Sequence, residues 1–293
     1  METPIHCLNI SNRKKILREY REKPSEVLET DDEENRRLRK KIENFYRNFL
    51  ESSGMDGYVV GISGGVDSAV VAKLLVESVG AEKIHGMILP AEHTSERDIE
   101  DGMELAERLG ISTNDPAEFR NRIEGIVDSL EELGEMSESK QRLKRGNILS
   151  RCRMIVIRDV AKARNSLVAG TTNASEKLLG YTTLAGDGKG GVDCEGIYEL
   201  FKTSVYSLGE MLELPESILE KEPSGDLWKG QKDSEELGHG YEFLDRVLAG
   251  YCIGLKPEKI AEIIETDTGE VRKIIRKVRN SCHKHLPVAS PSF

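Results

Sequence analysis

A three-layer α/β sandwich on a parallel sheet is the fold class that three observations in this sequence predict. Short apolar runs alternate with stretches of helical period, as βαβ units require. The runs "YVVGIS" (58–63) and "NSLVAGTTN" (165–173) give way to small residues at their carboxyl ends, where open parallel sheets bind their ligands. A chain of 293 residues with 38% hydrophobic content can bury a sizeable core.

Residues 1–34 end in the charged "EVLETDDEEN" and read as a charged N-terminal extension or loosely packed arm. Residues 35–293 read as a single domain. From Asn35, the residues Leu38, Ile42, Phe45, Phe49 and Leu50 share one helical face up to the stop signal "SSGMDG". After the strand "YVVGIS", a helix from about Val66 turns Val70, Val71, Leu74 and Leu75 toward the sheet. "KIHGMILP" (83–90) is a second strand, and "SERDIEDGMELAERLG" a second helix closed by Gly110. The amphipathic stretch 137–165 carries Leu143, Ile148, Met154, Ile155, Ile157 and Val160, with seven arginines or lysines up to Arg158. "NSLVAGTTN" is a further buried strand, and from about Ser234 the pattern is helical to the end.

With 52 acidic against 42 basic residues, a formal charge of -10, the chain is no generic polyanion binder, and neither a nucleic-acid nor a membrane partner is expected. Cys7, Cys152, Cys194, Cys252 and Cys282 are scattered and form no C-x-x-C pair. That speaks against a disulfide framework or zinc site and for a reducing compartment. No apolar run resembles a signal peptide or membrane span, so the expected location is cytoplasmic.

The chemistry concentrates in "GISGGVDSAV", residues 61–70. Glycines at a strand end let several backbone N–H groups turn inward around an anion, and the helix that follows adds its positive end. Asp67 beside such a cradle would repel phosphate unless a divalent cation such as Mg²⁺ lies between them. The stretch lacks the lysine of a Walker A loop and the spacing of the dinucleotide fingerprint. A plain Gly-Ser turn with a helix cap at Ser63 or Ser68 is the alternative without chemistry.

"SGGVDS" resembles the pyrophosphate loop of the N-type ATP pyrophosphatases, which several activities share. "GTTNASEKLLGY" (170–181), "GDGKGGVD" (186–193), "YELFKTSVYSLGEML" (198–212) and "PSGDLWKGQKDSEELG" (223–238) resemble one branch, the ammonia-dependent NAD synthetases, over about Asp56 to His285. The resemblance implies a Rossmann-like sandwich of the adenine nucleotide alpha hydrolase type. It also implies a ligase that adenylates deamido-NAD with ATP and lets ammonia displace AMP, in a homodimer. Gly61, Ile62, Ser63, Gly64, Gly65, Val66, Asp67 and Ser68 would hold ATP phosphates, together with Thr171, Lys202 and Ser224. Asp67 and Glu176 would ligate Mg²⁺, and Lys202 would meet charge building on the phosphates. Read alone, Glu176 is a first-turn helix acid and Lys202 a solvated lysine. Arg151, Asp193, His283 and Lys284 match positions that contact the dinucleotide. His283 and His285, two apart, face different sides and make a poor metal pair.

Free ammonia or a partner amidotransferase is the expected nitrogen source, since only about 55 residues precede the loop, too few for a glutaminase domain. The resemblance departs at "GYTTLAGDGKGGVD": Leu184 stands where the family has a substrate-binding lysine, and the loop is two residues longer. Either Lys189 reaches back or substrate binding is altered. Two other readings stand beside the main one, a different ATP pyrophosphatase of the tRNA thiolation kind and a non-catalytic nucleotide-binding paralogue.

Overall fold

The computed structural model describes residues 18, 20, 22, 28, 31–131 and 137–284. Cys7, His285 and most of the arm lie outside them. In chain order the elements are α1 (Asp32–Ser53), β1 (Gly57–Gly61), α2 (Val66–Val79), β2 (Ile84–Met87), α3 (Glu96–Leu109), β3 (Ser112–Thr113), α4 (Pro116–Glu131), α5 (Glu138–Ala163), β4 (Ser166–Gly170), α6 (Ala174–Leu179) and β5 (Cys194–Glu195). There follow α7 (Lys202–Met211), α8 (Glu216–Leu219), α9 (Asp233–Leu237), α10 (Tyr241–Cys252), α11 (Pro257–Ile263) and α12 (Thr268–Ser281).

The sheet runs β3-β2-β1-β4-β5 with every pair parallel. Alternation along β1 sends Tyr58 and Val60 to one face and Val59 to the other, as a strand buried on both sides requires. The first face packs against Val70, Val71, Leu74 and Leu75 of α2, the four residues that the period selected. The opposite face meets Ile123 and Val127 of α4 and Leu149, Met154 and Ile157 of α5. A third core joins α6 to α10, α11 and α12 through Leu178, Leu244, Leu248, Ile260 and Ile275. Among the described residues no helix is long and apolar enough to cross a membrane.

Two readings of the amino-terminal region change. The helix begins at Asp32, because Asp31 caps it by accepting from the Glu34 amide at 2.8 Å, and the acids that read as an arm suit its positive end. Its inward face is Asn35, Ile42, Tyr46 and Leu50, while Phe45 is exposed. Tyr46 is drawn in because its hydroxyl accepts from the Gly196 amide (3.0 Å) and its carbonyl accepts from the Tyr58 hydroxyl (2.6 Å). Tyr20, within the stretch expected to pack loosely, is 2% exposed in the third core.

Candidate active site

β1 and β4 are neighbours at the point where strand order reverses, so their carboxyl ends open one crevice. β1 leads into α2 through Ile62–Gly65, and β4 leads into α6 through Thr171–Asn173. Between the two loops lies a cavity of about 420 Å³.

The first loop turns at Gly64, whose φ is +73° and where a Cβ would meet the Asp98 carbonyl oxygen at 2.4 Å. Gly65 opens α2 with extended backbone and no side-chain cap, leaving the positive end of that helix to an anion. Ser68 folds the loop back, its hydroxyl donating to the Gly65 carbonyl (2.9 Å) and accepting from the Ser63 amide (3.2 Å). Behind the turn, Lys221 donates to the Gly64 carbonyl at 2.8 Å and pairs with Asp98 at 2.7 Å.

The second loop carries a capping box. Asn173 Oδ1 accepts from the Glu176 amide (3.0 Å), and Glu176 Oε2 accepts from the Asn173 amide (3.3 Å). Asn173 Nδ2 also donates to Asp67 Oδ1 at 2.9 Å. Lys202, the first residue of α7, closes the group: its Nζ pairs with Asp67 Oδ2 and lies 3.5 Å from Glu176 Oε1.

Electrostatics follow from that packing. Burial opposes the charge on Lys202, which is 4% exposed, but Asp67 and Glu176 outweigh it and hold its pKa above the usual lysine range. Burial and the charge of Asp67 push Glu176 well above the carboxylate range, and Lys202 only partly counters them. With both acids ionised, a single ammonium leaves the site short of positive charge, and Glu176 keeps its proton unless a further cation is present. Such a pair fits a hard divalent cation that keeps phosphate and water as its other ligands. Among the described residues no cluster of three or more His, Cys, Asp or Glu could hold a metal, so the protein would supply only part of the coordination sphere.

Of the residues singled out in the sequence, Gly61, Ile62, Ser63, Gly65, Val66, Asp67 and Ser68 line the cavity. Thr171, Glu176, Lys202, Ser224 and Lys284 line it too, and Gly64 stands behind as the turn. Lys284 donates to the carbonyls of Gly180 (2.6 Å) and Thr182 (2.8 Å), and burial lowers its pKa. Arg151, Asp193 and His283 are not brought to this cavity. Arg151 is exposed and donates to the Leu184 carbonyl at 3.1 Å, and His283 is exposed in the final turn 282–284. The Asp193 carboxylate accepts from Arg158 at 2.7 and 2.8 Å and from the Val168 amide at 2.7 Å. The longer loop brings Asp187, and not Lys189, to the cavity wall. The Asp187 carboxylate accepts from Ser150 Oγ (2.7 Å) and from the Thr183 amide (3.0 Å).

Sequence reasoning missed Asn173, Asp187, Asp233 and Arg153. The first had a signal, since Asn followed by Glu three residues on is a capping-box spacing. Asp187 sits inside the quoted glycine-rich block. Asp233 lines the cavity and is bonded to the Tyr241 hydroxyl at 2.9 Å, and burial raises its pKa. Arg153 pairs with Asp226 at 3.1 Å and looked like one more base on an amphipathic helix.

The NAD synthase family model matches residues 38–287. This chain belongs to the NAD synthase family. The NH(3)-dependent NAD(+) synthetase of Methanococcoides burtonii is 40% identical over 243 residues, 83% of this chain and 90% of the relative. That of Pyrococcus horikoshii is 39% identical over 84% of this chain and 91% of its own. Among solved structures, an NMN synthetase from Francisella tularensis superposes with a TM-score of 0.74 at 29% identity, covering 88% of this chain and 99% of that one. The NH3-dependent NAD synthetase of Campylobacter jejuni gives 0.72 at 25% identity, with the same coverage. The fold is therefore that of the NAD synthases, and the chain is a ligase that forms a carbon–nitrogen bond.

Proposed function

We propose that this NAD synthase family member converts deamido-NAD to NAD with ammonia, using ATP and releasing AMP and pyrophosphate. The observation that carries the reading is the convergence of Asp67, Glu176 and Lys202 at the mouth of the glycine loop, built from two adjacent strand ends. The nicotinate carboxylate attacks the α-phosphorus of ATP and pyrophosphate departs. Ammonia then attacks the resulting acyl adenylate and displaces AMP. Activation is required because a free carboxylate does not accept ammonia.

The backbone of the loop through Ser68 and the positive end of α2 bind phosphate oxygens. Lys202 meets the charge that grows on the departing pyrophosphate, and its buried ion pairs fix where that charge is met. Mg²⁺ held by Asp67 and Glu176 would neutralise phosphate charge and align the leaving group. No covalent nucleophile is needed, in keeping with Cys152 and Cys194, both buried, the latter with its thiol pushed up to about 12 by burial.

A homodimer is part of this reading from the family resemblance, with Ile155 of α5, 66% exposed, an apolar side chain that such an interface would cover. Cys152, Cys194, Cys252 and Cys282 form no disulfide among the described residues, which supports a reducing, cytoplasmic setting. Free ammonia as nitrogen source is supported by the names of the relatives.

A second acceptor is favoured by one observation. Arg151 and Asp193 stand outside the cavity, Leu184 stands where the resemblance leads one to expect a lysine, and a structure of closely similar fold is an NMN synthetase. A mononucleotide acceptor is therefore tested beside the dinucleotide. Purified protein is given Mg-ATP, ammonium or glutamine, and either deamido-NAD or nicotinate mononucleotide, with AMP and amide product followed together. NAD and AMP in equal amounts with ammonium alone is the expected result. Amidation of the mononucleotide in preference would shift the substrate, and AMP without amide would sink the reading.

A further inference from the structure

Behind Lys202 lies a second carboxylate that no role above uses. Asp245, on α10, is 0% exposed and has no cation beside it at ion-pair distance among the described residues. It accepts three hydrogen bonds: from Ser175 Oγ to its Oδ1, and from the Thr203 amide (2.9 Å) and Thr203 Oγ1 (3.1 Å) to its Oδ2. Ser175 Oγ in turn accepts from the Lys202 amide at 2.9 Å.

These bonds fall on the first turns of two helices. Phe201, which precedes α7, supplies no side-chain cap, so the opening N–H groups of that helix need acceptors from elsewhere. Asp245 takes the amide of Thr203, and Ser175 takes that of Lys202. The same pair fixes α6, because Ser175 immediately precedes Glu176. One carboxylate thus ties together the helix starts that carry the cation and one acid of the site. Its negative charge suits both positive helix ends.

We propose that Asp245 is a positioning residue: by capping α7 and gripping Ser175 it sets the reach of Lys202 toward Asp67 and Glu176. The proposal rests on the reading of Lys202 and Glu176 as phosphate and metal ligands for its catalytic consequence, and on the hydrogen bonds alone for its structural one. Asn at 245 keeps the shape but places an NH₂ group where a carboxylate oxygen accepted, so either the Ser175 bond reverses or the Thr203 amide loses its acceptor. The expected consequence is an α7 start that no longer holds Lys202 Nζ between its two acids.

The test uses Asp245→Asn in the full chain with two readouts. The first is the rate at which an amine reagent labels Lys202, followed by mass spectrometry with Lys221 as internal reference, since the Lys221 ammonium is held by Asp98 and Asp101 of α3 and by none of the groups that Asp245 bonds. The second is kcat and the KM for ATP. The proposal expects Lys202 labelling to rise about 10-fold with Lys221 unchanged, and kcat to fall about 30-fold with KM within about threefold, the signature of lost orientation. Unchanged Lys202 labelling would overturn it, as would equal rises at Lys202 and Lys221 with a lowered melting temperature, which mark general loosening. If the parent protein makes no amide, the functional reading fails while the labelling comparison still decides the role of Asp245. If Asp245→Asn does not fold, Ser175→Ala, which removes the bonds to Asp245 and from the Lys202 amide, and Thr203→Val, which removes the Oγ1 bond alone, are read the same way.

Discussion

Asn173 and Asp67 lie 106 positions apart in the chain and meet at 2.9 Å, amide nitrogen to carboxylate oxygen. Asn173 is wholly buried, so the contact links the β4 loop to the glycine loop of β1 and orients Asp67 from behind. Replacing it with Ala removes both a helix cap and a carboxylate partner. Asn173→Ala should cost about 1 kcal/mol of stability and raise the Mg²⁺ concentration needed for half-maximal rate several-fold. Urea unfolding and a Mg²⁺ titration of activity check the two parts.

Two adjacent glycines should differ sharply. Gly64 combines φ +73° with a 2.4 Å approach to a backbone carbonyl, whereas a Cβ on Gly65 would first meet the Ser63 hydroxyl at 3.4 Å. Gly64→Ala should destabilise by about 1–3 kcal/mol, and Gly65→Ala by about 1 kcal/mol or less. Paired melting curves measure the contrast, and equal losses would contradict the strain argument.

Asp193 is read here as structural, against its match to a substrate position. Its carboxylate joins the Arg158 guanidinium to the Val168 amide of β4. Asp193→Asn should lower stability by about 1–2 kcal/mol while leaving the KM for the acceptor within about twofold. A large rise in KM at unchanged melting temperature would return Asp193 to the substrate.

Acid should loosen the sheet edge through His85. Burial, then the nearby Arg164 charge, lowers its pKa from the usual 6.5 to about 4, and its Nδ1 lies 2.7 Å from Ser112 Oγ across to β3. The folded state therefore prefers the neutral ring. The stability this preference confers is present above pH 6.5 and is lost as pH falls through about 4. His85→Gln should lessen the fall in melting temperature between pH 7 and pH 4.5, measured beside the parent protein.

Much of the fold was legible because β1, β2 and β4 are apolar runs with helices of clear period between them. β3 and β5 were not, being two residues long each and drawn into the sheet by neighbours. The face read from the sequence takes in Phe45 and Phe49, whereas the buried face of α1 is centred on Tyr46. Only the fold shows that both ends of that residue are hydrogen bonded to partners far along the chain. In the site, the strand-end residues could be read from the motif, since glycines, an acid and a capped turn leave a local trace. Asp245 left none: its partners come from two other helices, and in sequence it is one acid on an amphipathic repeat.

The burial of Tyr20 bears on the timing of assembly. Its hydroxyl accepts from the Gly250 amide at 2.9 Å, across 230 positions of sequence. At ordinary rates of translation the two residues emerge on the order of tens of seconds apart. The earlier segment must therefore wait, with an aromatic ring uncovered, for a helix made 230 residues later. The third core closes only once the stretch around Gly250 has left the ribosome, so the helices behind Lys202 mature long after the glycine loop has been made.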